Sequence, residues 1–131
     1  DFNSSLILAR DLFADLDKHW REGAGRGMYR PGYSAQETDA IEMAAVHARR
    51  MGMQTHYDAA GNAHFIYPGA DRSAPALMIG SHLDAVPEGG RYDGPAGVVA
   101  GLAALRHIHD SGQTPPRDVR LTVFRAEESP W

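Results

Sequence analysis

The sequence predicts an α/β fold, a partial three-layer α/β/α sandwich around a mixed, mainly parallel sheet. Segments with helical periodicity alternate with short apolar segments along the 131 residues. The run "ALMIG" at 76–80 is continuously apolar, as in a strand covered on both faces. A helix-like segment separates it from the strand-like "DVRLTVFRA" at 118–126. This order indicates a right-handed βαβ crossover with parallel pairing of the two strands.

The first third of the chain predicts two helices joined by a loop. The segment Asn3-Ser4-Ser5 offers candidate N-caps for the first helix, and the glycine-rich segment 21–33 predicts the loop. Ser34 and Glu37 form a capping box, in which Ser34 caps the second helix and Glu37 reaches back. Apolar residues at helical spacing predict the core face of the first helix: Leu6, Ala9, Phe13, Leu16 and Trp20.

The remaining elements follow from equally local signals. The second helix has one apolar face and a stop at Gly52; the face comprises Ile41, Ala45, Ala48 and Met51. The segments "MQTHYD" at 53–58 and "AHFIY" at 63–67 predict a hairpin around a short turn. The helix that connects the two parallel strands is expected at about 97–111, with Gly112 near its C-cap.

Composition excludes several classes of protein and of site. The net charge of −4 and the lack of a Lys/Arg run argue against a nucleic-acid partner. No apolar stretch approaches the ~18 residues of a membrane span, so we expect no membrane partner. There is no cysteine, which excludes disulfides, thiolate zinc sites and a cysteine nucleophile. These features fit a cytoplasmic protein, which is the location that we predict.

Possible metal ligands concentrate where the two parallel strands end. The loop "GSHLDAVPEGGRYDG" at 80–94 holds His82, Asp84 and Asp93, and the second strand is followed by Glu127 and Glu128. In open α/β sheets the carboxyl ends of the strands line the usual ligand crevice. We therefore expect these side chains to converge.

This set of side chains suits a divalent metal ion. Histidine nitrogen and carboxylate oxygen without thiolate favour Zn²⁺, Mn²⁺, Co²⁺ or Ni²⁺. Asp84 lies two residues after His82, where its carboxylate can accept the second ring N–H of a metal-bound histidine. Glu127 and Glu128 are expected to point apart, so that one binds metal while the other serves as a general base. A carboxylate such as that of Asp93 can bridge two metal ions.

The order and spacing of these residues resemble a known family. The pattern "SHLDAVPEGGRYDG…GVVAGLAAL…VRLTVFRAEES" is similar to the N-terminal half of the zinc-exopeptidase-like catalytic domain of the amidase/hydantoinase/carbamoylase family, in the dinuclear M20 metallopeptidase clan. That family includes N-carbamoyl-L-amino-acid hydrolases, β-ureidopropionases and allantoate amidohydrolases. The resemblance implies that His82 and Glu128 each bind one metal, that Asp93 bridges both, and that Glu127 is the base. Together with the spacing of Asp84 to His82, this predicts Glu127 and Asp84 as the catalytic residues.

The resemblance also implies a function and partners. We expect hydrolysis of a linear C–N amide bond in a small carbamoyl or ureido substrate, two divalent metal ions, and a homodimer in the complete protein. Ala126 stands where relatives often carry Asp or Asn, and residues 129–131 depart from their Gly-Ser-Arg-Phe. We interpret residues 1–131 as a single, truncated catalytic-domain fragment without the lid and dimerisation domain. The fragment is therefore expected to bind metal weakly and to be inactive.

Two alternative functions remain open at this stage. The first is an aminoacylase or dipeptidase of the same clan, acting on ordinary acyl amides. The sequence "GGRYDG" argues against it, because peptidase relatives usually differ at this point. The second is a non-catalytic folded remnant that acts only by binding or association. Metal content and turnover, compared between this chain and any longer version, separate these alternatives.

Overall fold

The computed structural model describes residues 2–20 and 27–128, with backbone alone at His19 and Trp20. The predictions for Trp20, for part of the loop 21–33 and for 129–131 therefore lie outside the described residues. In the described part, helices and strands follow one another in this order: α1 (Phe2–Trp20), β1 (Met28–Arg30), α2 (Ala35–Arg50), β2 (Gln54–Tyr57), β3 (Ala63–Tyr67), β4 (Leu77–His82), β5 (Ala85–Gly89), α3 (Pro95–Asp110) and β6 (Val119–Phe124).

The main sheet has four strands in the order β2-β3-β6-β4. Strands β4 and β6 pair in parallel, from Leu77 opposite Val119 to His82 opposite Phe124, and α3 connects them. The predicted parallel strand–helix–strand unit is therefore confirmed. The predicted hairpin of β2 and β3 is confirmed as well, and β3 also pairs antiparallel with β6. The sheet is mixed, as predicted. Among the described residues, the pairings β2–β3 and β3–β6 are antiparallel, and only β4–β6 is parallel, so this part of the sheet is not mainly parallel.

The hydrophobic core lies between one face of this sheet and the three helices. Phe65 and Leu121 are cross-strand partners on that face, and neither is exposed. Helix α3 packs so closely on it that a Cβ atom at Gly101 would lie 2.9 Å from the Leu121 side chain. The predicted core face of α2 is confirmed, since its members are buried: Ile41, Ala45, Ala48 and Met51.

The other face of the sheet carries no helix within the described residues. In this part of the chain the sandwich therefore has a single helical layer, on the core face. Met78 is 59% exposed, and β4 is the outermost strand of the sheet. The prediction that this apolar strand is covered on both faces is wrong for these residues. An apolar run shows that a strand tolerates burial on both faces, but the residues that would cover it must come from elsewhere in the chain or from a partner.

Helix α1 differs from the prediction at its start and in its buried face. It begins at Phe2, so the segment 3–5 lies inside the first turn and does not cap the helix. Of the predicted face, Leu16 is buried and Ala9 and Phe13 are partly buried against the core, but Leu6 is 56% exposed. The stripe that is fully buried comprises Leu8, Leu12 and Leu16. Both stripes have helical spacing. The packing of α1 against α2 and α3 selects the second one, and local periodicity carries no information on that choice.

Two predicted loops contain short strands that pair with each other. Strand β1, within the segment 21–33, runs antiparallel to β5, within the segment 80–94. Met28 lies opposite Gly89, and Arg30 lies opposite Ala85. The glycine-rich composition that predicted loops is compatible with such short strands, and their pairing joins segments more than 50 residues apart. This second sheet places Arg30 next to the His82–Asp84 segment.

Candidate metal centre

His82 is the last residue of β4, and its ring is held from one side by Asp84. The side chain is buried at 8% exposure, and Nδ1 lies 3.2 Å from Asp84 Oδ1 and 3.2 Å from the Asp84 carbonyl oxygen. Both acceptors on that side are satisfied by the tautomer that donates from Nδ1, and in that tautomer Nε2 keeps its lone pair. The predicted contact between Asp84 and the imidazole is therefore confirmed, and Nε2 is the atom available to a metal ion.

Asp93 reaches His82 because the chain turns sharply at Gly94. Gly94 caps α3 with φ 82° and ψ −64°, a backbone conformation that L-residues rarely adopt. A Cβ atom there would lie 2.6 Å from His82 Cε1, Nδ1 and the carbonyl oxygen, so the imidazole packs directly on this glycine. Ser81 Oγ donates a hydrogen bond of 2.8 Å to the Gly94 carbonyl. As a result, Asp93 Oδ1 lies 3.9 Å from His82 Nε2.

Glu127 and Glu128 follow β6 in a turn, and Asp84 holds both of them through their backbone. Glu127 N–H donates to Asp84 Oδ1 at 3.1 Å, and Glu128 N–H donates to Oδ2 at 2.9 Å. Glu127 Oε2 lies 3.5 Å from His82 Nε2, and the Glu128 carboxylate also approaches His82. The expectation that the two glutamates point apart is wrong, because it assumed extended backbone where the chain turns.

His82, Asp93 and Glu128 form one cluster, with ligand atoms within 4.8 Å of one another. The predicted convergence of these three side chains is confirmed, whereas their roles stay predictions. Burial raises the pKa of the Glu128 carboxyl, and the neighbouring Asp93 carboxylate raises it further, while His82 opposes the shift. Carboxylates that repel one another around an imidazole nitrogen favour a bound cation. One nitrogen and several oxygen donors fit the borderline divalent ions Zn²⁺, Mn²⁺, Co²⁺ and Ni²⁺.

A buried arginine that the sequence did not identify lies beside this cluster. Arg30 is 1% exposed, and its Nη1 donates a 2.5 Å hydrogen bond to the carbonyl of Leu83, the residue between His82 and Asp84. Burial lowers the pKa of the Arg30 guanidinium, and the negative charges of Asp84 and Glu37 oppose that shift. The cation therefore fixes the peptide between the two predicted site residues and balances the charge of Asp84, which is itself 1% exposed.

The sequence also missed the second role of Glu37. Ser34 does cap α2, because Glu37 N–H donates to Ser34 Oγ at 3.1 Å. The Glu37 carboxylate, however, accepts from the N–H of Tyr33 at 2.6 Å and from the segment that precedes Glu127. The capping-box pattern signalled that this glutamate bonds to backbone, but it could not identify a partner 89 residues away.

A cavity of about 560 Å³ lies at the opposite end of the sheet. It is lined by the start of β4 and by the segment before β6, including Leu77, Met78 and Pro116. Apolar cavities are the default candidates for ligand sites. This one lacks the predicted site residues, since the carboxylates gather at the carboxyl ends of β4 and β6. We therefore place the candidate site at the His82 cluster.

The fold is an α/β fold with a cluster at its strand ends that could hold a metal ion, and comparison with known proteins points to a family of hydrolases. Residues 78–131 match the model of peptidase family M20/M25/M40, and this range contains all five predicted site residues. Homologues of the chain are amidohydrolases, so the family is one of enzymes. Among the described residues, no helix combines the length and the apolar character needed to cross a membrane.

Particular relatives identify the branch of that family. The chain is 33% identical over 102 residues to an N-carbamoyl-L-amino acid amidohydrolase of Geobacillus stearothermophilus, which is 78% of this chain and 25% of the relative. It is 40% identical over 79 residues to allantoate deiminase 2 of Glycine max, which is 59% of this chain and 16% of the relative. A hydantoinase/carbamoylase family amidase from Burkholderia ambifaria superposes with a TM-score of 0.81 at 34% identity, over 92% of this chain and 30% of that one. The predicted resemblance to the amidase/hydantoinase/carbamoylase family is confirmed.

Proposed function

We propose that these residues form part of the active site of a metal-dependent hydrolase that cleaves a linear C–N amide bond in a carbamoyl or ureido substrate. The observation that carries the proposal is the convergence of His82, Asp93 and Glu128 at the ends of two parallel strands. The relatives support the substrate class, since their names specify N-carbamoyl amino acids and allantoate. The chain spans about a quarter or less of those relatives, so this activity is proposed for the complete protein.

Four side chains would hold and orient the metal. His82 Nε2 and the carboxylates of Asp93 and Glu128 would hold divalent metal. When bound, such ions polarise the scissile carbonyl and lower the pKa of the attacking water. Asp84 lies 3.2 Å from Nδ1 of His82, where its carboxylate would accept the ring N–H and leave Nε2 for the metal.

Glu127 would act as general acid and base. Its Oε2 lies within 3.5 Å of the same imidazole and its carboxylate is more than half exposed, so it can reach a substrate. It would accept the proton of the attacking water and then pass it to the leaving nitrogen. The Glu127 carboxylate is regenerated when the leaving nitrogen takes this proton, so the step needs no covalent bond between Glu127 and the substrate.

The three ligand side chains leave each of two metal ions short of the three protein ligands that catalytic zinc usually takes. We therefore propose that the 131 residues alone bind metal weakly and turn over little substrate. We also propose that they tend to associate, because the sheet face at Met78 is apolar and exposed. Location in the cytoplasm and a homodimeric complete protein remain part of the proposal.

Metal content and turnover of the longest natural chain that contains these residues test the proposal. We expect bound divalent metal, and hydrolysis of an N-carbamoyl amino acid or allantoate faster than that of an N-acetyl amino acid. Glu127→Gln should lower the hydrolysis rate by ~100-fold or more while metal content stays unchanged. Preference for the N-acetyl substrate would favour an aminoacylase instead. A metal-free, inactive protein would overturn the proposal and favour a non-catalytic remnant.

A further inference from the structure

The segment that carries Glu127 and Glu128 is held through four successive backbone N–H groups. Asp84 accepts the last two, as described above. Ala126 N–H donates to Glu37 Oε1 at 2.8 Å, and Arg125 N–H donates to Asn62 Oδ1 at 2.9 Å. Side chains from α2, from the turn before β3 and from the loop after β4 therefore fix one four-residue stretch.

Glu37 is the central member of this arrangement. It has no exposed surface, and its Oε2 also accepts a hydrogen bond of 2.8 Å from Arg125 Nε. The same guanidinium reaches the start of α2 again, with Nη2 donating to Thr38 Oγ1 at 2.9 Å. An acid without solvent contact that binds a cation and two backbone amides is costly to disturb, because each donor left without its acceptor would remain desolvated.

The backbone between these contacts is strained. Ala126 has φ 52°, a left-handed conformation that costs an alanine roughly 1–2 kcal/mol. Gly32 lies directly against it, since a Cβ atom on Gly32 would be 2.4 Å from Ala126 Cβ. Such a conformation persists only where the surroundings enforce it. Here the Glu37 carboxylate accepts a hydrogen bond from the N–H of Ala126, the strained residue itself.

We infer that Glu37 is a positioning residue, which acts through Arg125 and the Ala126 amide to aim the carboxylates of Glu127 and Glu128 at the His82 imidazole. Among the described residues, the partners of the Glu37 carboxylate are Tyr33, Arg125 and the Ala126 amide, and none of them belongs to the cluster. The contribution of Glu37 is to hold the left-handed turn that directs two successive side chains toward the same imidazole. The part of this inference that concerns catalysis rests on the proposed hydrolase function, and the part that concerns geometry does not.

Glu37→Gln tests the inference in the complete protein. The amide keeps the size of the side chain. It presents an NH₂ group to Arg125 or to the Ala126 N–H, which in the wild type donate to the carboxylate oxygens. Glu42→Gln is the matched control, because Glu42 lies on the same helix and pairs with Arg49 on the surface. Three quantities are compared: hydrogen exchange of the Arg125–Glu128 amides, the dissociation constant for Mn²⁺ alone, and kcat with KM for an N-carbamoyl amino acid.

In Glu37→Gln we expect amide exchange of this segment to become at least about tenfold faster. The Mn²⁺ dissociation constant should rise about tenfold, as for the loss of groups that orient metal ligands. Values of kcat should fall roughly 10- to 100-fold, with KM within about threefold of wild type. The control should match wild type in all three. A purely structural role would lower the melting temperature and speed exchange throughout the chain alike, with Mn²⁺ affinity and kcat per folded molecule unchanged.

Arg125→Lys provides a second variant, which decides the question if Glu37→Gln does not fold. It keeps the positive charge but loses the fork that reaches Glu37 and Thr38 together, and we expect the same changes at smaller size. If both folded variants match Glu42→Gln in exchange and Mn²⁺ affinity, the inference is wrong. If wild type hydrolyses no carbamoyl or ureido substrate, the proposed function fails, while exchange and Mn²⁺ affinity still decide the role of Glu37.

Discussion

Replacing Gly94 by alanine probes the contact on which the metal centre depends. The new Cβ atom would lie 2.6 Å from two ring atoms of His82 and from its carbonyl oxygen. The same substitution forces alanine to φ 82°. Backbone strain and steric overlap therefore act at one position, and the overlap falls on the predicted metal ligand.

Two other glycines separate these effects. Gly112 has φ 67° with nothing near its added Cβ, so Gly112→Ala carries the backbone strain alone. Gly90 has open space around it and no positive φ, so Gly90→Ala carries neither effect. Strain in the left-handed region costs roughly 1–2 kcal/mol, and overpacking adds about 1–3 kcal/mol. We expect losses of about 0, 1–2 and 2–5 kcal/mol for Gly90→Ala, Gly112→Ala and Gly94→Ala.

Urea denaturation of the three variants measures the free energy of unfolding, and equilibrium dialysis measures Mn²⁺ affinity. Only Gly94→Ala should also weaken Mn²⁺ binding, because only there does the new methyl group displace the His82 ring. If Gly94→Ala and Gly112→Ala lose the same stability and bind Mn²⁺ equally well, the imidazole does not pack on Gly94 and the reasoning fails.

The contacts that surround the site and the hairpin determine the effects of two substitutions and of pH. Asp84→Asn places an amide donor against two backbone N–H groups and the imidazole, and it should weaken Mn²⁺ binding about 10- to 100-fold; unchanged affinity would contradict the role of Asp84. Gly32→Ala would press on Ala126 and should cost about 1–3 kcal/mol in urea denaturation, whereas a neutral result would show that this turn is loosely held. Hydrogen bonds from Asn62 and His64 lower the pKa of Asp58 to about 2. The stabilisation from Asp58 is therefore complete above pH 3.8 and is lost as the pH falls toward 2, and an NMR titration of Asp58 near 3.8 would refute this.

The sequence by itself predicted the elements that depend on local patterns. Apolar periodicity located α2, and the alternating segments around 59–62 located the hairpin, because each pattern reports which side of a helix or strand can be buried. It also predicted that His82, Asp93 and Glu128 meet. That inference succeeded because a parallel strand–helix–strand unit brings the carboxyl ends of its two strands to the same edge of the sheet.

Only the tertiary structure decided which of several locally equivalent choices is used. Two stripes on α1 have helical spacing, and packing against α2 and α3 buries the stripe with Leu12 and exposes Leu6. The glycine-rich segments contain the short strands β1 and β5, because these two segments, distant in sequence, pair with each other in the fold.

The residues that hold the candidate site in place were also decided by the tertiary structure. Arg30 lies in a segment that was predicted as a loop, and Glu37 was predicted as the second member of a capping box. Their partners lie 53 and 88 residues away. A capping pattern encodes that a carboxylate seeks backbone N–H groups, but the fold determines which ones reach it. Once the carboxylate is buried, the cost of leaving it unpaired ties it to Arg125 and to the strained turn before Glu127.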